Sequence, residues 1–333
     1  MSKLSDKVEA ARAKLNKKFG KGSARNINVD KIVSDTISSG SLTLDIATGI
    51  GGFPVGRVVE VFGGESSGKT TLLISVIVQA QKLGKICAFI DTEHAFNQDY
   101  AEDLGVNVDD LIFCQPDTME DALNMSVTLI PDVDVICFDS IAAGIPEKEL
   151  NGEVGDHTIG LKARHMSQSM RMVIGKANRE GVLMVFSNQI REKIGVMFGS
   201  NRTTPGGNAV KFAASMRIYL RSSTKNKEDK KNPAVVTSNA VVAKIEKNKM
   251  ARPHTEATYD IAYYNGVYGI NKFGEVVDLS VEHKFLEKNG SWYKLNGTNI
   301  GQGRTGAMRF LQDNPEVCEE LYNKILKQYQ DDE

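Results

Sequence analysis

The chain has 333 residues, 41% of them hydrophobic, and its 41 lysines and arginines nearly cancel its 42 aspartates and glutamates, for a formal net charge of -1. That is enough apolar material for one large core with small appendages, and no global charge excess announces a nucleic-acid partner. The longest apolar run, LLISVIV (72–78), is far too short to span a bilayer, and the N-terminus has no apolar core of a secretory signal.

The charge is unevenly placed. Residues 1–31 are basic, with Lys3, Lys7, Arg12, Lys14, Lys17, Lys18, Lys21, Arg25 and Lys31 against Asp6, Glu9 and Asp30; the C-terminal stretch leans acidic. Leu4, Val8, Ala11, Leu15 and Phe19 recur at helical spacing between those cations, which predicts an amphipathic basic helix. A single helix ahead of a polar linker cannot bury its own stripe, so it must dock on the core or on a neighbouring subunit. Next come strand-like runs at 58–62, 86–90, 133–138 and 182–186. They alternate with helical runs at 69–83, about 118–130 and about 158–180. Nearly continuous apolar strands alternating with helices predict an α/β fold with a mostly parallel central sheet covered on both faces. Runs at 216–221, 235–249 and 257–264 read as antiparallel strands extending it, with a charged hairpin tip at 224–232. From about Val267 the pattern changes to a small α+β domain ending in a helix at 315–329. The expected organisation is an N-terminal helix arm at 1–33, an ATPase-like core at 34–266 and a C-terminal domain at 267–333. Cys87, Cys114, Cys137 and Cys318 form no CxxC pair, which suits reduced core thiols in a cytoplasmic protein.

GGESSGKT, Gly63 to Thr70, fits G-x-x-x-x-G-K-[ST] and stands between a strand and a helix, the context the motif requires. In such a loop backbone N–H groups face the β-phosphate and the helix N-terminus adds partial positive charge. Gly68 lets the backbone approach, Lys69 reaches the β- and γ-phosphates, and Thr70 can ligate Mg²⁺. Asp139 closes the apolar strand VDVICFDS, as a carboxylate that supports Mg²⁺ through water does. Glu93, in FIDTEH, lies beyond the carboxyl end of a strand, where ligands bind in open parallel sheets. It can activate a water attacking the γ-phosphate; Asp91 competes for the role, and a structural role for either stays open. Gln189 stands just past the strand at 182–186, at the start of the long loop, where it either touches the γ-phosphate or is an amide satisfied by backbone.

Residues 191–212, REKIGVMFGSNRTTPGGNAVKF, have neither strand nor helix period. A loop this long inside a domain is functional or disordered. It combines the cations Arg191, Lys193, Arg202 and Lys211, the apolar wedges Ile194, Met197 and Phe198, and several glycines, the mixture that single-stranded nucleic acid takes.

With these residues in hand, the chain resembles the bacterial RecA recombinase family. The likeness runs over nearly all of it: SSGSLTLDIATGIGGFPVGRVVEVFGGESSGKTTL, FIDTEHAFNQDYAEDLGV, QPDTMEDAL, GLKARHMSQSMR, NQIREKIGVMFG, TTPGGNAVKFAAS, KNKMARP and GQGRTGA. The resemblance implies a RecA-like ATPase core with ATP and Mg²⁺ as cofactors. The nucleotide set would be Gly63, Gly64, Glu65, Ser66, Ser67, Gly68, Lys69, Thr70 and Thr71, with Tyr100 on adenine and Asp139 supporting the metal beside Thr70. Glu93 would activate water, with Lys69 and Gln189 as its catalytic companions. Lys247 and Lys249 would reach the ATP of an adjacent subunit in a helical filament, and the N-terminal helix would dock on a neighbour. Two DNA loops are implied: Gly152, Glu153 and Ile159 in the first, with Arg164 and Arg171 on the helix after it; Arg191, Lys193, Ile194, Gly195, Val196, Met197, Phe198, Gly206, Gly207 and Asn208 in the second. The implied partners are single-stranded DNA, double-stranded DNA, copies of the chain itself, a LexA-type repressor and a single-strand binding protein, with no membrane.

Some positions depart from the family pattern. Asn97 stands where an aspartate is usual near adenine, Ile159 where methionine is frequent, Pro205 stiffens the second loop, and the acidic tail is short. Lys284, Lys288, Lys294 and Arg304 are either duplex contacts or a solvated face. Three rival readings share parts of this pattern: a ring-forming helicase or branch-migration ATPase, a filament whose main role is to stimulate repressor cleavage, and a small-molecule kinase. The first lacks a four-cysteine motif or a large N-terminal domain, and the third lacks a lid or acceptor site. The second is compatible with recombination.

Overall fold

The computed structural model describes residues 3–20, 23–24, 35–152, 160–192, 202–223, 227–228, 236–264 and 267–331. They belong to two compact units, 1–35 and 36–333. In the first, the amphipathic helix spans Lys3–Phe19. Gly20 at φ +99° turns the chain. Ser23 Oγ donates to the carbonyls of Phe19 and Gly20 at 2.9 and 2.7 Å, and Asn16 and Ala24 exchange two bonds of 3.0 and 2.8 Å. Leu4, Val8, Leu15 and Phe19 of its apolar stripe are exposed.

The second unit is built on a ten-stranded sheet. Met216–Ser222, Val58–Gly63, Leu183–Gln189, Val135–Asp139, Cys87–Asp91 and Leu111–Cys114 lie side by side in that order, all parallel. Val236–Asn248, Glu256–Tyr264 and Val267–Ile270 extend it antiparallel, and the short strand Lys227–Glu228 pairs with Val236–Asn248. Val58–Gly63, Cys87–Asp91 and Val135–Asp139 are buried at every residue, as strands with both faces covered must be. Helix Lys69–Lys82 packs on one face through Leu72, Leu73, Val76 and Ile77. Helices Met119–Leu129 and Leu161–Glu180 cover the other, the latter through Met166, Met170, Val173 and Ala177 at alternating spacings of four and three. Among the described residues no helix is long and apolar enough to cross a membrane.

Helix Lys272–Glu282, the antiparallel strands Glu287–Asn289, Trp292–Leu295 and Thr298–Gln302, and helices Gly303–Asp313 and Pro315–Asp331 follow. A third core, with Val276, Val277, Leu311, Leu321 and Ile325, lies among them. A Cβ on Gly301 would lie 2.4 Å from the backbone of Gly306, so the strand can touch the next helix only as glycine.

Four elements differ from the sequence reading. The strand expected at 182–186 continues to Gln189, because Ser187, Asn188 and Gln189 pair in register with Val61, Phe62 and Gly63. Apolar content ends before the ladder does. Leu111–Cys114 is an edge strand only partly buried, and at four residues it is too short to stand out. Helix Gly303–Asp313, absent from the sequence reading, starts inside the glycine-containing string GQGRTGA. Val267–Ile270, just past the boundary expected at 266, pairs into the large sheet.

Helix Leu42–Ala47 meets the C-terminal elements through Glu275. Its carboxyl accepts from Ser41 Oγ at 2.7 Å, Thr43 Oγ1 at 2.5 Å, and the Leu42 and Thr43 N–H groups at 3.2 and 3.1 Å. Burial outweighs these donors and pushes its pKa up from 4.5 to about 7. A folded-state pKa above the unfolded one means the native state holds the extra proton. The associated stability is full below pH 4.5 and is lost as pH rises through about 7. Glu275→Gln removes this titration. In urea unfolding at pH 5 and 7.5, acidification is expected to shift the stability difference toward the wild type by about 2–3 kcal/mol; a pH-independent difference would show that Glu275 is ionised throughout.

Candidate functional site

Gly63–Thr70 joins the end of Val58–Gly63 to the start of Lys69–Lys82. Gly68 caps that helix at φ +87°, and a Cβ there would lie 2.5 Å from Ile261 Cδ1. Only glycine meets both demands. The loop is wound around the Gly64 carbonyl, which accepts from Ser67 Oγ at 2.9 Å and Lys69 Nζ at 2.7 Å. Above it the first N–H groups of the helix have no intrahelical partner, the feature that makes a helix start an anion site.

Thr70 Oγ1 donates to Asp139 Oδ2 at 2.6 Å, and Ser187 Oγ donates to Asp139 Oδ1. Burial drives the Asp139 pKa up, the two hydroxyls and Lys69 oppose this, and Glu93 adds to it. Burial likewise lowers the Lys69 pKa, opposed by Asp139, Glu93 and Glu65. One ammonium thus stands among three carboxylates. Among the described residues no group of three or more His, Cys, Asp or Glu side chains converges as a metal cage. The hard-oxygen pair Thr70–Asp139 instead fits an ion such as Mg²⁺, which keeps waters and takes most ligands from phosphate.

The two candidate acids separate cleanly. Asp91 is 2% exposed and accepts from the backbone N–H groups of Glu93, Ala95 and Phe96 at 3.0 Å each and from Gln115 at 3.1 Å. Its lone pairs are spent on shaping the turn. Glu93 is exposed, and its Oε1 accepts from Ser140 Oγ at 2.5 Å. Thr92 Oγ1 donates to the Ser140 carbonyl at 2.7 Å and accepts from its N–H at 3.0 Å, locking the two strand ends that carry Glu93 and Asp139. Sequence reasoning did not single out Ser140 or Ser187; each lies within a polar run closing a buried strand, and that was the available signal.

Gln189 is paired with Gly63, the first residue of the loop. Two residues on, Arg191–Glu192 pairs antiparallel with Arg202–Thr203, so the limbs of the long loop come together beside Gln189. Tyr100, half-buried on helix Gln98–Asp103, bonds through its OH to Thr71 Oγ1 at 3.1 Å. Asn97 caps that helix by accepting from the Tyr100 N–H at 2.9 Å, so its side-chain oxygen already has a partner. Lys247 and Lys249 sit elsewhere: Lys247 Nζ donates to the Lys211 carbonyl at 2.6 Å, and both lie 3.4 Å from the Phe212 carbonyl. Burial, with Lys249 and Arg217, lowers the Lys247 pKa to about 8. Phe212 beside them is 75% exposed.

Glu153, Ile159, Lys193, Ile194, Gly195, Val196, Met197 and Phe198 lie outside the described residues, as does the hairpin tip around 229–232. Gly152, Arg164, Arg171, Arg191 and Asn208 are exposed. Arg164 and Arg171, two helical turns apart, share the outer face of Leu161–Glu180. Gly206 and Gly207 have a packing reason: at φ +82° and +72°, a Cβ on Gly206 would lie 2.9 Å from Ile141 Cγ2, and one on Gly207 would lie 3.0 Å from Ala163 Cβ. Gly206→Ala is expected to cost about 1–3 kcal/mol through backbone strain, whereas Asn208→Ala, exposed and without a capping bond, should change stability by no more than about 0.5 kcal/mol. Equal thermal shifts would remove the packing argument.

Known proteins match the chain along most of its length. The RecA N-terminal domain model matches residues 6–268, and the RecA C-terminal domain model matches residues 274–330. Protein RecA of Pseudomonas savastanoi pv. phaseolicola is 50% identical over 321 residues, 96% of this chain and 89% of the relative. Protein RecA of Pseudomonas fluorescens strain Pf-5 is 50% identical over 96% of this chain and 90% of its own length. Protein RecA of Pseudomonas tolaasii is 49% identical over 96% and 89%. Matching in both domains and over nearly its whole length, this chain belongs to the bacterial RecA family.

Proposed function

We propose that the chain is an ATP-dependent DNA recombinase. It forms helical filaments on single-stranded DNA, pairs that strand with homologous duplex, exchanges strands, and hydrolyses ATP in a DNA-dependent way. The observation that carries this reading is the pairing of Gln189 with Gly63, immediately before the two limbs of the glycine-rich loop come together. One residue stands between a phosphate-binding loop and a loop whose composition suits a nucleic-acid strand.

On this reading Lys69 and the N–H groups of Gly63–Thr71 hold the phosphates, and Tyr100 lies against adenine. Thr70 and, through water, Asp139 hold Mg²⁺, which neutralises charge on the phosphate oxygens when bound. Glu93 takes the proton of the attacking water at its carboxylate, with Ser140 Oγ on Oε1 orienting it. Gln189 senses the γ-phosphate and passes its state to the loop. Order in that loop then depends on the nucleotide, a known form of switching. Lys247 and Lys249 complete the site of an adjacent copy, which gives these cations a use away from their own chain's phosphate loop. The arm at 1–33 docks on a neighbour, the core at 34–266 carries the chemistry, and the domain at 267–333 offers Lys284, Lys288 and Lys294 to duplex. The same filament stimulates self-cleavage of a LexA-type repressor and meets single-strand binding protein, in the cytoplasm.

Steady-state ATP hydrolysis with and without long single-stranded DNA, across protein concentrations, tests the whole reading. Turnover is expected to rise strongly with DNA and cooperatively with protein; equal turnover in both conditions would sink it. Glu93→Gln is expected to keep ATP and DNA binding while slowing hydrolysis at least ~100-fold, the scale of a lost general base. Normal turnover in that variant would move the role to another group.

A further inference from the structure

A buried amide ties Gln189 to the long loop. Asn188 is fully buried, and all three of its polar hydrogen-bonding contacts go to protein. Its Oδ1 accepts from the Gln189 N–H at 3.0 Å, and its Nδ2 donates to the Pro205 carbonyl and to Glu60 Oε1, each at 3.1 Å. Glu60, also fully buried, accepts from Arg217 Nε at 2.5 Å through its other oxygen. The Arg217 guanidinium lies 4.3 Å from the Phe62 ring centre and 3.8 Å from Glu246, the residue before Lys247. The contacts cross four neighbouring strands, from Leu183–Gln189 through Val58–Gly63 and Met216–Ser222 to Val236–Asn248.

Stability alone does not account for such a network. Apolar residues of similar volume commonly serve as well as a buried ion pair. What a fully satisfied buried network does impose is one arrangement of its members. If Gln189 shifts, its N–H stays bonded only when the Asn188 amide turns with it. Turning the amide strains or breaks its bonds to Pro205 and Glu60, and a buried polar group without a partner is costly. The return limb of the loop and Gln189 therefore have to move together.

We propose that Asn188 is a positioning residue that couples the placement of Gln189 to the return limb of the glycine-rich loop at Pro205, with the Glu60–Arg217 pair holding its amide in place. This rests on the role given to Gln189 above. Asn188 acts through that residue and touches neither Lys69 nor Thr70.

The test uses the full chain, a fluorescent oligo-dT and two nucleotides, ADP and a non-hydrolysable ATP analogue. The readout is the ratio of DNA affinities in the two nucleotide states. For the wild type it is expected in the range of about 5- to 150-fold that coupled sites show. Asn188→Ala is expected to bring the ratio to within about threefold of unity while nucleotide affinity persists. Added to Gln189→Ala, it should change the ratio no further, because the two residues act as one unit. A wild-type ratio in Asn188→Ala, with only a lower melting temperature, would overturn the proposal and leave Asn188 a purely structural amide. Should the alanine variant not fold, Asn188→Ser keeps a hydroxyl but not the reach of the amide to Pro205 and Glu60; a ratio lowered by about threefold or more supports the coupling and an unchanged ratio overturns it. A ratio near one in the wild type itself would overturn the role of Gln189 and this inference with it, and is told apart because no substitution is involved.

Discussion

The register between two parallel strands is the constraint on which most of this molecule depends. Val58–Gly63 and Leu183–Gln189 run side by side with Gly63 opposite Gln189. A slip by one residue would reverse which side chains face each covering layer, and with both faces buried that is prohibitive. The hydrophobic cores above and below the sheet therefore position the Gln189 amide beside the glycine-rich loop that begins at Gly63, to within the tolerance of strand pairing. The loop's own shape follows from the same packing. Gly63 is pressed against the Leu220 carbonyl of the next strand and Gly68 against Ile261, so the backbone that would face phosphate is held by neighbours across the sheet.

Charge is managed by giving each carboxylate a different environment. Asp91 is saturated by backbone N–H groups and shapes a turn. Asp139 is buried, fixed by two hydroxyls and pushed toward its neutral form by burial. Glu93 stays exposed, and its carboxylate accepts from the Ser140 hydroxyl. Three acids close together can thus carry three roles, because solvent access and hydrogen-bond saturation separate them more than chemical type does.

The chain also shows features that a single copy does not use. Lys247 and Lys249 project from the end of Val236–Asn248 onto carbonyls beside the exposed Phe212. The helix Lys3–Phe19 carries an exposed apolar stripe. A cationic pair next to an exposed aromatic ring, and an amphipathic helix with its stripe uncovered, are the expected marks of surfaces meant for another molecule.

The sequence by itself determined the parallel sheet, its covering helices, the glycine-rich turn from strand to helix at Gly63–Thr70 and the two acids that close neighbouring strands. Those signals are local: apolar runs, glycine spacing and the polarity change at a strand end report on a few residues at a time. It left Asp91 and Glu93 unresolved, did not separate Ser140 and Ser187 from the polar runs around them, and ended the strand before Gln189 at the last apolar residue. Only the tertiary structure decided these, since each depends on partners far along the chain. Ser187 is polar yet fully buried because Asp139 waits on the next strand. Gly206 is glycine because Ile141 and Met166 leave no room for a Cβ. Asn188, Glu60 and Arg217 are scattered over more than a hundred positions and become one network because the sheet order places their strands side by side.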